Sequence, residues 1–144
     1  MQNVYEHFQA REHYCREMSL VPESSFEELF SEEIGSEGRR GVMWGNLVLT
    51  ENAFLNVFEY VVVDGDGDGE WGGAWDHREE YSYFLLIDGV EVWGYDRDLV
   101  YSPADRGHTG RDRRRVPAAR VSFKGVVQNA WRSVEAEEEV RALR

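Results

Sequence analysis

A single cysteine, a single lysine and no long apolar run are the first things to note about this 144-residue chain. With Cys15 alone, no internal disulfide can form, which fits a reducing, cytoplasmic setting. The longest apolar runs are about as short as Phe84-Leu85-Leu86-Ile87 and Val61-Val62-Val63, far below the roughly 20 residues of a membrane span. The first residues, Met1-Gln2-Asn3-Val4-Tyr5-Glu6, lack the basic region and apolar core of a secretory leader. No phosphate-binding Walker loop, nucleophile elbow, dinucleotide fingerprint or His-Glu-x-x-His helix occurs. The four histidines, His7, His13, His77 and His108, show no zinc-ligand spacing with a supporting cysteine. Neither a metal nor a cofactor is expected from them.

What is present argues for one folded domain. Aromatic residues make up 13% of the chain, more than a disordered segment carries, and the length suffices for a real core. The charge is lopsided: 28 acidic against 16 basic residues, a net of −12, and all the basic residues but Lys124 are arginine. Such a surplus of carboxylates strains a compact fold by self-repulsion in dilute buffer. In molar salt the screening length shrinks to roughly 3 Å and the strain largely disappears. Carboxylates in place of lysines therefore read as adaptation to a salty cytoplasm, with an ordinary acidic protein as the alternative.

Hydrophobic periodicity gives the expected elements. Val4, Phe8, Cys15 and Met18 recur at near-helical spacing over residues 2–19, ended by Pro22. Ser24 and Ser25 with Glu27 and Glu28 offer capping boxes to a second helix carrying Phe26, Leu29, Phe30 and Ile34. From Gly41 the period becomes two, giving strands over 42–50 and 53–63 with Glu51-Asn52 as a turn. Two further strands follow over 80–96, joined by Asp88-Gly89, the dipeptide suited to a two-residue turn with positive φ at both positions. Both faces of this hairpin carry large apolar groups, so it belongs in the interior under at least one helix. Ser122 then caps a helix whose stripe is Phe123, Val126, Val127, Ala130, Trp131 and Val134. The expectation is an α+β fold: two N-terminal helices within 1–35, a four-stranded antiparallel meander over 42–97, an arginine-rich loop over 98–120, and an amphipathic C-terminal helix over 121–143 packed on the sheet.

Two loops carry candidate chemistry. Asp64-Gly65-Asp66-Gly67-Asp68-Gly69-Glu70 matches the start of a calcium-binding EF-hand loop at Asp64, Asp66, Asp68 and Gly69. Position twelve is Trp75 and the flanks read as strands, so a solvated acidic loop is preferred and Asp64, Asp66 and Asp68 remain a weak cation site. The segment 105–120 holds six arginines, Arg106, Arg111, Arg113, Arg114, Arg115 and Arg120, against Asp105 and Asp112, a formal +4 that leaves −16 for the rest of the chain. Guanidinium forks suit phosphate oxygens, so the segment is an electrostatic footprint for nucleic acid. Internal pairing, with the acidic stretch Glu135 to Glu139 or the acidic loop, is an equal alternative, and an acidic protein partner is a third. His108, beside Arg106 and Arg111, is the histidine best placed by sequence for general acid or base work, with an ordinary solvent-exposed loop histidine as the slightly preferred alternative. Tyr81, Tyr83 and Tyr95 carry hydroxyls toward the same region, or serve as core tyrosines with satisfied hydroxyls.

Tyr81-Ser82-Tyr83, the Asp88-Gly89 turn, Tyr95-Asp96, the loop with Pro103 and His108, and the closing amphipathic helix resemble the TumE family of toxin components. The likeness spans about residues 42–134 and is concentrated in 80–108. Phe84 stands where the family's strand histidine would be and Gly94 where its arginine would be, and His108 alone remains of the loop histidines. The resemblance implies a small intracellular protein paired with a helix-turn-helix antitoxin and acting on RNA or DNA. On that footing His108, Tyr95 and Arg111 are the expected metal-independent, ribonuclease-type centre, and Arg106, Arg113, Arg114, Arg115 and Arg120 hold the phosphates. The other reading is a non-catalytic binding or regulatory module of a halophilic archaeon, in which the same loop docks an acidic protein.

Overall fold

The computed structural model describes residues 3–18, 28–63, 77–109 and 112–143. Asn3 opens the first helix, α1 (Val4–Glu17), its side-chain oxygen accepting the Glu6 amide at 3.1 Å and so satisfying a donor that the first turn leaves free. Helical spacing turns Val4, His7, Phe8, Arg11 and Cys15 to the interior. Seven strands follow: β1 (Leu29–Ile34), β2 (Arg40–Thr50), β3 (Ala53–Val62), β4 (Arg78–Ile87), β5 (Val90–Arg97), β6 (Asp105–Thr109) and β7 (Asp112–Pro117). They form one sheet in sequence order, each pair of neighbours antiparallel. The chain closes with α2 (Phe123–Ala142), capped by Ser122, whose hydroxyl accepts the Gly125 amide at 3.0 Å.

The fold is α+β with an antiparallel meander, but the expected four strands and two N-terminal helices are corrected to seven strands and one such helix among the described residues. Leu29–Ile34, expected as helix, is an edge strand: Leu-Phe-Ser-Glu-Glu-Ile is short enough to suit either period, and pairing with β2 decides it, Phe30 opposite Trp44. The expected caps Ser24 and Ser25 lie outside the described residues. At the other end, most of the expected loop over 98–120 is the hairpin β6–β7. Three consecutive arginines hide a strand from any propensity argument. They suit an edge, however, where charge and a proline such as Pro117 block pairing with another sheet.

The central hairpin forms as its turn chemistry dictates, with φ of 54° at Asp88 and 75° at Gly89. Alternation sends Leu47, Leu55, Val57, Tyr83 and Leu85 inward, all fully buried. The two helices lie on that inward face, α1 against β1 and β2, α2 against β3 and β4. Phe123, Val126, Val127, Ala130 and Val134 fill the space between them and the sheet. No helix among the described residues is long and apolar enough to cross a membrane.

Candidate nucleic-acid interface

Strand alternation separates the residues that the sequence had grouped. In the β5–β6 register His108 stands opposite Gly94, and Tyr95 opposite Gly107, so the two side chains point to opposite faces of the sheet. Tyr95 is half-buried on the helix-covered face, its ring 5.4 Å from that of Trp93. His108 lies on the outward face, only 7% exposed, with Nε2 2.9 Å from Glu91 Oε1. A carboxylate only accepts, so Nε2 carries the proton in that contact. Nδ1 is buried with no partner among the described residues. Arg111 lies outside the described residues. The structure therefore assembles a His108–Glu91 pair and does not bring His108 and Tyr95 to one centre.

Gly94 is what lets His108 lie there. A Cβ at position 94 would stand 2.4 Å from His108 Cε1, closer than any real contact. Gly94→Ala is expected to cost about 1–3 kcal/mol by overpacking. Urea unfolding checks it, and in a His108→Ala background the same substitution should cost almost nothing, because the clash is gone.

The arginines of the hairpin are held in different ways. Arg106 donates from Nη2 to the Arg115 carbonyl at 2.9 Å and lies 4.6 Å above the Tyr101 ring, with no ion pair among the described residues. Arg115, half-exposed, pairs with Asp96 at 3.0 Å. Arg120 donates to the Arg78 carbonyl. Arg114 is exposed, and Arg113 belongs to β7. The acidic stretch near the C-terminus is served in part by its own helix, Glu137 lying 3.8 Å from Arg141. A carbonyl or an aromatic face orients a guanidinium without cancelling its charge, so the Arg106 end of the hairpin stays electropositive.

The interior holds a second polar constellation that the sequence reading missed. Glu59, fully buried, accepts from His7 Nε2 at 2.8 Å, from Arg11 Nε at 3.1 Å and Nη2 at 3.3 Å, and from the Tyr83 hydroxyl. Arg78 continues the network, donating to Tyr83 at 3.0 Å and to the Val121 carbonyl at 2.7 Å while lying 4.5 Å over the Tyr81 ring. The Tyr81 hydroxyl donates to Asp105 at 2.6 Å, and Arg97 meets the same carboxylate at 2.7 Å. Burial alone would raise the Glu59 carboxyl, but Arg11, His7 and Arg78 outweigh it and hold it at about 2. Burial and the neighbouring Arg11 lower His7, so its imidazole is neutral at pH 7. Burial pushes the Cys15 thiol up to about 12, which leaves it unreactive. The signal was available: helical spacing from Val4 passes through His7 and Arg11, and strand alternation from Val57 to Val61 passes through Glu59.

Among the described residues no three metal-ligating side chains cluster, and Asp64, Asp66 and Asp68 lie outside them. The interior network is buried and occupied by its own hydrogen bonds, whereas the β6–β7 hairpin carries the exposed Arg114 and the half-exposed Arg115. No protein-family model, no curated protein and no solved structure matches this chain.

Proposed function

We propose that the protein binds nucleic acid through the β6–β7 edge, in keeping with the resemblance to TumE-type toxin components and their pairing with a helix-turn-helix antitoxin. The observation that carries this reading is Arg106. Its guanidinium is fixed by a carbonyl and an aromatic ring and keeps its charge for a phosphate, beside the exposed Arg114 and the half-exposed Arg115. The reading is of binding first. A hydrolytic role for His108 gains no support from a ring whose Nε2 faces Glu91 and whose Nδ1 is enclosed.

A labelled single-stranded oligonucleotide titrated by fluorescence anisotropy at stepped KCl tests it. Replacing Arg113, Arg114 and Arg115 with Ala should weaken binding about tenfold to a hundredfold at low salt and flatten the log–log salt slope by about 2. Unchanged affinity and slope would remove the phosphate role. The second reading, docking of an acidic protein, is favoured by the charge pairing of Arg115 with Asp96, which shows that this edge already accommodates carboxylates. Polyglutamate that displaces the oligonucleotide at equal charge concentration would favour that reading instead.

A further inference from the structure

The outward face of the sheet is the largest feature that neither the core nor the arginine hairpin explains. Cross-strand register places Phe30, Trp44 and Phe58 in one row across β1, β2 and β3. Phe84 lies in the next row, beside the hydrogen-bonded Asn46–Asn56 pair, and Phe54 and Leu86 lie in the row after that. Phe30 and Trp44 are stacked at 5.8 Å and are 52% and 39% exposed, with Ile34 at 37%. No helix or strand of the described residues covers this face. A soluble protein rarely shows water an apolar patch of this extent unless something binds there.

We infer that the outward face is a self-association surface, on which a second copy of this chain packs sheet against sheet. Two observations choose that occupant. The first is area: seven strands spaced about 4.8 Å and roughly eight residues long give a face on the order of 800 Å², the share per partner of a standard interface. The second is charge. At the β1 end Glu32 on the face and exposed Glu28 just before the strand outnumber exposed Arg40 of β2, while Arg106 and Arg115 stand at the β6–β7 end. A two-fold axis parallel to the strands through β4 reverses strand order, so the acidic end of one copy lies over the basic end of the other. It also brings Trp44 toward the partner copy's counterpart of Arg106, a cation–π match. An axis across the strands would set acid on acid and base on base. Nucleic acid suits the aromatic part of this face, over β1 to β4, less well, because Glu32 and Glu80 stand beside it and repel phosphate. The dimer encloses Arg106, which the binding reading above leaves open to phosphate, so the two compete for that side chain and the dimer is tested without nucleic acid.

Sedimentation of the full chain without nucleic acid, over a wide concentration range, tests it. The wild type should show a concentration-dependent dimer, and Trp44→Glu should be monomeric with an unchanged circular dichroism spectrum. Glu32→Arg and Arg106→Glu should each raise the dimer dissociation constant about tenfold, and the double variant should recover to within a few-fold of wild type, since the acidic end of one copy lies over the basic end of the other. A wild type that stays monomeric throughout overturns the inference. So does a dimer indifferent to Trp44→Glu, or a double variant weaker than either single one, which would place like ends together.

Discussion

Glu59→Ala should be the most damaging polar substitution in the protein, costing about 3–5 kcal/mol of folding free energy in urea denaturation. The carboxylate is the counter-charge for Arg11 and Arg78, 2% exposed each, and it accepts from His7 and Tyr83 besides. Removing it leaves guanidinium groups in a medium that solvates them poorly and strands two donors. A loss under about 1 kcal/mol would mean that water reaches the network and replaces the carboxylate. The same site sets the acid response. His7 is held below its ordinary 6.5, so in acid the unfolded chain takes up a proton there that the folded chain refuses. Glu59 is held near 2 against an ordinary 4.5, with the same consequence at lower pH. Stability should therefore be full above pH 6.5, decline as His7 protonates in the unfolded chain, and fall again between pH 4.5 and about 2. Glu59→Ala should lack the lower of these two steps.

Phe123→Ala should cost a comparable amount, about 3–5 kcal/mol, by opening a cavity where three elements meet. The ring is fully buried at the start of α2, edge-on to Tyr14 of α1 at 6.4 Å and to Tyr83 of β4 at 6.2 Å. Arg11 lies 5.0 Å over it, so the substitution also removes the apolar wall behind the ionic network. Phe30→Ala makes the control. That ring is half-exposed on the outward face, and its loss should change monomer stability by about 0.5–1 kcal/mol. Equal losses at the two positions would show that α2 does not seal the core at Phe123.

The sequence by itself determined the elements whose partners are near in the chain or whose pattern admits one period. The Asp88-Gly89 turn is fixed by its need for positive φ, and α2 by five buried apolar residues at helical offsets behind a serine cap. The class, α+β with an antiparallel meander, follows from these and from the period-two runs of β2 and β3. Only the tertiary structure decided the two ends of the sheet. Leu29–Ile34 reads as helix until β2 offers it a hydrogen-bonding edge, and three arginines read as loop until β6 does the same. The grouping of the candidate residues was likewise not legible, since whether His108 and Tyr95 share a face depends on strand register, and one residue of offset reverses it. The buried network lay half in view. Period placed His7, Arg11 and Glu59 inward one by one, but that two segments 48 residues apart bring a carboxylate to a guanidinium is a fact of packing alone. A charge is tolerated in a core only where its counter-charge arrives with it, and the fold alone supplies that coincidence.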